Sequence, residues 1–89
     1  MSATEKDFST DQRLILLKNL KISWSVIPFI VWQFSFVFQP DHCGNEGRVM
    51  FDFALEHSAH SSLHHLVLRL LKDAGGLWKT EEYELIFDE

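Results

Sequence analysis

The sequence predicts one small α+β domain in which helices pack on an antiparallel sheet. Three observations favour this fold. Even-numbered positions are apolar throughout from Ile22 to Phe38 and would line one buried face of a strand, Trp24, Trp32 and Phe34 among them. A second alternating segment runs from Val49 to Leu55, and a Leu-rich stretch with helical spacing follows Ser58. A chain of 89 residues suffices for one domain with a thin core. We assign residues 1–8 to a flexible N-terminal segment and residues 9–89 to the domain.

The first predicted element is a helix that ends near Leu20. Ser9 or Thr10 can cap its first turn, and Asp11 is favourably placed near the positive end of the helix dipole. The helix is short, so its stability must come from docking. Its buried stripe is drawn from Ile15, Leu16, Leu17 and Leu20.

The uncharged segment from Ile22 to Pro40 predicts the first strand. About 20 apolar residues are enough to span a bilayer, but serine and glutamine interrupt this run with a period of two, which is typical of a strand. We therefore expect no membrane partner. Because Pro28 lacks an N–H donor, we expect a bend there. The strand then covers residues 30–38, and residues 22–27 form a bent extension or a separate short strand.

The remaining elements follow from turn residues and spacing. A glycine-containing loop joins the first strand to the second in an antiparallel hairpin, with Val49, Phe51, Phe53 and Leu55 on its buried side. A second helix, capped by Ser58, runs to the stop at Gly75 and Gly76. Its apolar stripe comprises Ala59, Leu63, Leu66, Val67, Leu70, Leu71 and Ala74.

The last predicted strand, residues 82–88, has Tyr83, Leu85 and Phe87 on one side and acidic residues on the other. The predicted order is therefore α-β-β-α-β. This order packs most simply as an antiparallel sheet with helices on it.

The charge distribution limits the partners. The formal net charge is −5, and residues 1–45 sum to zero, so the whole imbalance lies after them. Nucleic acid is a poor partner, because phosphate binding needs clustered Lys and Arg. A basic protein is a better one. A single cysteine, Cys43, precludes an intramolecular disulfide, and this fits the reducing environment of the cytoplasm.

The second face of the predicted sheet is the candidate partner surface. It collects Ile27, Phe29, Val31 and Val37 from the first strand region, with Met50, Ala54 and Ile86 from the others. Such a face needs cover, which the first helix, a second subunit or a partner protein would supply. Trp78 is a candidate aromatic anchor. Acidic Glu81, Glu82 and Glu84 would steer a basic target towards the domain.

The histidines suggest a different function. His57, His60 and His64 are separated by three and four residues, so a helix extending back to His57 would place all three on one side. Two histidines four residues apart on a helix can bind one zinc ion. If Ser58 is the cap, however, His57 lies outside the helix, and the histidines pack and hydrogen-bond like ordinary core neighbours. We expect no cofactor, with zinc as the alternative.

No catalytic motif stands out, although Cys43 lies beside His42 in a loop. The sequence therefore predicts a non-enzymatic protein–protein interaction domain, such as an acidic inhibitor, immunity or adaptor protein of bacterial or phage type. A small zinc-binding domain and an obligate homodimeric structural component are the alternatives.

Overall fold

The computed structural model of the chain describes residues 8–57 and 60–88, with side chains for residues 8–56 and 62–86. Two short helices precede a four-stranded antiparallel sheet with strand order β1-β2-β3-β4. An α+β domain with an antiparallel sheet is therefore confirmed, but the predicted order α-β-β-α-β is wrong. The elements are α1 (Thr10–Leu17), α2 (Ile27–Val31), β1 (Ser35–Pro40), β2 (Glu46–His57), β3 (His60–Lys72) and β4 (Trp78–Asp88).

Helix α1 begins where the sequence predicts. The Ser9 side chain accepts a hydrogen bond from the Gln12 N–H at 3.2 Å, and the Ser9 carbonyl accepts from the Arg13 N–H at 3.0 Å. The first bond satisfies a donor that the first helical turn leaves open, and the second is the first i→i−4 bond of the helix. Leu16 and Leu17 are buried against the sheet, and the Leu16 carbonyl accepts a 2.7 Å bond from the Thr80 hydroxyl. Docking on β4 therefore stabilises this two-turn helix.

The segment from Ile22 to Phe34 is not the bent strand that we predicted. A turn closed by a 2.9 Å bond from the Val26 N–H to the Ser23 carbonyl leads into α2, whose first turn contains Pro28. Proline is tolerated there because the first helical N–H groups need no intrahelical partner. The buried side chains Ile27, Ile30 and Val31 follow helical spacing. β1 consequently begins only at Ser35.

The predicted hairpin of the first two strands is confirmed. Phe36 lies opposite Phe51, and Phe38 lies opposite Val49. The Asp41 carboxylate closes the turn by accepting a 2.7 Å bond from the Gly44 N–H, and Gly44 has φ +75°. Apolar side chains of both strands therefore share the buried face, as the alternation predicts.

The Leu-rich stretch is strand β3, so the second helix predicted from Ser58 to Ala74 is wrong. Ser58 and Ala59 lie outside the described residues. Residues 46–57 of β2 pair with residues 60–71 of β3 in one continuous register, and β4 pairs along the other side. Leu66, Leu68 and Leu70 are fully buried with a period of two. A helix would place Leu68 outside the apolar stripe, whereas the strand β3, which lies between β2 and β4, buries it.

Gly75 and Gly76 lie in the turn between β3 and β4 and do not end a helix. Gly76 has φ +82°, which glycine adopts without strain. Backbone N–H groups of Leu77 and Gly75 donate to the Asp73 carboxylate, each at 2.9 Å. The bond from Leu77, followed by that from Gly75, outweighs desolvation and lowers the pKa of Asp73 below its ordinary value.

Both helices pack on the same face of the sheet, and the core lies between them. The opposite face, which we call the outer face, is covered by neither helix. Val37, Met50, Leu63 and Ile86 are partly exposed on it. The core comprises Phe8, Leu16, Leu17, Ile27, Ile30, Val31, Phe36, Phe38, Val49, Phe51, Phe53, Leu66, Leu68, Leu70 and Trp78.

Candidate functional site

The segment that carries α2 exposes four large aromatic side chains. Trp24 is 68% exposed, Phe29 56%, Trp32 78% and Phe34 83%. The segment folds this way because α2 buries the opposite side of its single turn. A monomeric protein rarely leaves several large aromatic side chains in water without a binding role.

Three of these side chains line one groove, which we call the aromatic groove. Phe29, Trp32 and Phe34 line it together with Pro28 and Gln33, and Phe53 and Ala54 of β2 contribute to its surface. Phe53 itself is 2% exposed, so it belongs to the core and ties the groove to the sheet. The groove is therefore an apolar depression beside the edge of β2.

The backbone of β2 is open at this position. The Asp41 N–H donates to the Glu46 carbonyl at 2.9 Å on the β1 side, and the Lys72 N–H donates to the Asn45 carbonyl at 2.8 Å on the β3 side. Antiparallel pairing alternates, so even-numbered residues of β2 direct their backbone groups towards β1 and odd-numbered residues towards β3.

β1 covers only residues 47–52 of β2. Its last contact is a 3.1 Å bond from the Phe34 N–H to the Asp52 carbonyl. Beyond this bond, Ala54 and Glu56 direct their backbone N–H and C=O groups to a side on which no strand of the described residues lies. We call the stretch Phe53–His57, which contains these two residues, the open edge. An unpaired edge beside an apolar groove is a template for an added strand.

The outer face carries a hydrogen-bonded row across three strands. The Ser35 hydroxyl donates to the Asp52 carboxylate at 2.7 Å, and His65 Nδ1 lies 2.6 Å from the other Asp52 oxygen. Burial raises the pKa of Asp52, but the bonds from His65 and Ser35 outweigh it and bring the pKa below its ordinary value. In this row Asp52 separates the serine from the histidine, so His65 is not placed to activate the Ser35 hydroxyl as a base would. The row ties β1, β2 and β3 together.

The predicted acidic residues lie beside arginine. Arg69 lies 3.5 Å from the Glu81 carboxylate and 3.7 Å from that of Glu82, and all three side chains are substantially exposed. A register shift between Arg69 and Leu70 brings the two glutamates to the same guanidinium. Glu84 is exposed two residues beyond Glu82 on β4. The acidic strand is thus partly neutralised by its neighbour on β3.

The other predicted partner residues separate into two groups. Phe29 lines the aromatic groove and Val37 lies on the outer face, both exposed. Val31 and Trp78 are core residues with 5% and 7% exposure, so the expectation of an exposed Trp78 anchor is wrong. Trp78 packs edge-on against Phe38 with 5.3 Å between ring centroids. Sequence reasoning assigned Trp24, Trp32 and Phe34 to the buried face and so missed them.

The zinc hypothesis loses its helical basis, because His60 and His64 belong to a strand. A strand rises about 3.3 Å per residue, which puts residues four apart on the order of 13 Å from each other along the chain. His64 is buried, its Nε2 lies 2.7 Å from the Ser62 hydroxyl, and its ring packs on Phe53. The side chains of His57 and His60 lie outside the described residues, so the cluster stays a prediction.

Among the side chains that the structure describes, no three histidine, cysteine, aspartate or glutamate residues are grouped to hold a metal ion. Cys43 is a free, exposed thiol in the turn between β1 and β2. Within the described ranges, no helix has the length and apolar character needed to cross a membrane.

Comparison with known proteins gives no relative: the chain matches no protein-family model, no curated protein and no solved structure.

Proposed function

We propose that this protein is a non-enzymatic protein-interaction domain that contacts another polypeptide through the aromatic groove. The observation that carries the proposal is the exposure of Phe29, Trp32 and Phe34 around one depression. Aromatic side chains in a pocket are the usual anchors of protein interfaces. Each residue also belongs to a segment that is held by buried neighbours, so the groove is preformed.

The size of the groove fits the apolar centre of a larger interface. A phenylalanine or tryptophan side chain can bury on the order of 150–250 Å². At their observed exposures, the three side chains present on the order of 450 Å² of aromatic surface. This equals the largest apolar patch of a typical monomer, which is often functional, and is about half of what one partner buries in a stable complex.

The charges around β4 add a weaker, long-range contribution. Glu81, Glu82 and Glu84 are exposed on one strand, and the chain has a formal net charge of −5. Arg69 offsets part of the local charge, so these residues would influence the association rate more than the affinity. Raising the salt concentration should therefore slow association with a basic partner while the apolar contact persists.

Co-purification from cells that produce the protein naturally tests the proposal. Tagged wild-type protein is compared with the double variant Trp32→Ser/Phe34→Ser and with Ile15→Ser. Ile15 is a matched control because it is an exposed aliphatic residue of α1 outside the groove. Circular dichroism and urea unfolding confirm that all three are folded.

We expect wild type and Ile15→Ser to retain the same partner chain, which mass spectrometry identifies. That chain can be another protein or an untagged copy of this one. The double variant should lose it, with an affinity at least about 30-fold weaker if the aromatic residues are interface hot spots. If the double variant retains the same chains as wild type, the groove is not the binding surface.

A further inference from the structure

We propose that the aromatic groove and the open edge together bind a second copy of this chain, with the two β2 strands paired antiparallel about a twofold axis at Leu55. The inference rests on the proposed function and names its partner. It starts from two adjacent features: the backbone groups of Ala54 and Glu56, with which no strand in the described part of the chain pairs on the β1 side, and the apolar groove beside them.

The register of the pairing follows from the alternation of β2. Ala54 and Glu56 direct both backbone groups outwards, whereas Phe53, Leu55 and His57 direct theirs to β3. Two copies can satisfy all four outward groups of each chain only if Ala54 of one lies opposite Glu56 of the other. Leu55 then lies opposite its own counterpart. A shift that pairs Ala54 with itself would require Asp52, whose carbonyl already accepts the Phe34 N–H.

Side-chain charges allow this register. Glu56 is exposed at the open edge, and two glutamates directly opposite each other would repel. In the proposed pairing each Glu56 faces Ala54 instead. This matters because the chain carries a formal net charge of −5, so an arrangement that opposed acidic residues would add to the repulsion between copies.

The area argument favours a second copy over the groove alone. The aromatic surface of on the order of 450 Å² is too small for a stable partner, which buries roughly 800 Å² per side. In a twofold pairing each copy contributes its groove and also the five-residue strand edge Phe53–His57 that lies along the groove of the other. The two contributions together approach the area that a stable dimer needs.

The edge strand on the other side of the sheet does not offer an equivalent edge. β4 is the opposite edge strand, and charged residues Lys79, Glu81, Glu82 and Glu84 line its exposed part. Charged side chains on an edge strand discourage pairing with other chains. The segment from Ile22 to Pro40, which flanks the open edge, has no charged residue. The composition of the two edges therefore directs pairing to one of them.

Site-specific crosslinking tests the register. Leu55→Cys is placed in a Cys43→Ser background, which removes the exposed native thiol. Directly opposed, non-hydrogen-bonded strand residues have Cα atoms about 4.5 Å apart, and disulfides form between Cα atoms about 4.4–6.8 Å apart. Mild oxidation should give a covalent dimer that reduction reverses. Ile15→Cys in the same background, on the exposed side of α1, should form no covalent dimer.

A pair of substitutions at Glu56 provides a second test that leaves the core untouched. Glu56→Pro removes the outward N–H that the second copy needs, while Glu56→Gln keeps it. In sedimentation equilibrium from low to high micromolar concentration, wild type and Glu56→Gln should dimerise. The dissociation constant of Glu56→Pro should be at least tenfold higher.

The proposal is overturned if the wild-type chain is monomeric throughout this range, or if it dimerises without a Leu55→Cys crosslink. These outcomes differ from a failure of the proposed function. A different protein that the Trp32→Ser/Phe34→Ser variant loses would support the groove and reject the second copy. A Leu55→Cys crosslink that this double variant leaves unchanged would support edge pairing and reject the groove.

Discussion

At one edge of the sheet, β4 runs for eleven residues, is contacted by α1 and carries four charged side chains between Lys79 and Glu84. At the other edge, β1 has six residues, leaves the end of β2 uncovered and follows a segment with exposed aromatic side chains and no charge. The two edges belong to one sheet and share one core, yet only the first carries charged side chains of the kind that discourage contact with another chain.

The difference shows where this small domain can bind without losing stability. At the β4 edge the aromatic residue Trp78 is buried, and the Thr80 hydroxyl fastens α1. At the β1 edge the aromatic residues Trp32 and Phe34 are exposed and contribute little to the core. Trp78 and Thr80 at the first edge therefore stabilise the fold, whereas the exposed rings of Trp32 and Phe34 at the second make little contribution to it.

Substitution of two tryptophans, one near each edge, should give the largest difference in the free energy of unfolding. Trp78→Ala removes a buried ring that packs on Phe38, and we expect a loss of about 3–5 kcal/mol in the free energy of unfolding. Trp32→Ala truncates a side chain that is 78% exposed, so the loss should stay within about 0.5 kcal/mol. Urea unfolding measures both. Equal losses would show that the two edges contribute alike to the core.

Proline substitutions test the alternation of β2 next to the open edge. Leu55→Pro removes an N–H that faces β3 and should cost about 2 kcal/mol more than Leu55→Ala, which loses the side chain alone. Ala54→Pro removes an outward N–H and should cost less than about 1 kcal/mol in dilute, monomeric protein. The measurement is urea unfolding at low protein concentration. A larger cost for Ala54→Pro than for Leu55→Pro would contradict the assigned edge.

The Thr80 hydroxyl should contribute measurably to the closed edge. Thr80→Val removes the donor of the 2.7 Å bond to the Leu16 carbonyl while preserving the shape of the side chain, and we expect a loss of about 1 kcal/mol. Thr80→Ser keeps the hydroxyl and should retain most of that stability. Amide hydrogen exchange in α1 reports the same contact, because α1 should open more often in Thr80→Val. Identical exchange in the two variants would rule out the proposed role of the bond.

The smallest expected effect concerns the polar row on the outer face. The pKa of Asp52 lies below its ordinary value of 3.8, so its ionised form is favoured in the folded state. Its contribution is fully present above that value and is lost as the pH falls through the lower folded pKa. The contribution itself should be less than about 1 kcal/mol, because the pair with His65 is partly exposed.

Thermal unfolding as a function of pH measures this effect. The stability difference between wild type and Asp52→Asn should shrink as the pH falls below about 4. Ser35→Ala is a control that removes one of the two bonds and should show the same trend with a smaller amplitude. A difference that grows as the pH falls below about 4 would contradict the lowered pKa.

The β1–β2 hairpin and the start of α1 were predictable from the sequence because their signals are local. The serine cap and the alternating phenylalanines each specify one structure. The structure of the Leu-rich stretch was not predictable, because its apolar residues fit both the helical period and the strand period. Leu66, Val67, Leu70 and Leu71 fit a helical stripe, while Leu66, Leu68 and Leu70 fit a strand. Pairing with β2 and β4 along thirteen residues decides between them, and that pairing is not local.

The candidate site was predictable only in part. Phe29, predicted on the second face of the sheet, is exposed but lies on α2, and the absence of charge from Ile22 to Pro40 coincides with the segment that carries the aromatic groove. The alternation within that segment wrongly placed Trp24, Trp32 and Phe34 on the buried face. The Ser-rich turn before Pro28 was the overlooked signal, since a proline after a turn commonly occupies the first turn of a helix.

Amide hydrogen exchange at residues 53–56 tests most directly whether the open edge pairs with a second copy. One experiment measures separately the N–H groups that face β3 and those that face the open side of β2. The N–H groups of Phe53 and Leu55 bond to β3 and should exchange slowly at every protein concentration. Those of Ala54 and Glu56 should exchange rapidly in dilute protein and become protected as the concentration rises. If exchange at Ala54 and Glu56 does not depend on protein concentration while that at Phe53 and Leu55 stays slow, the open edge does not pair with a second copy.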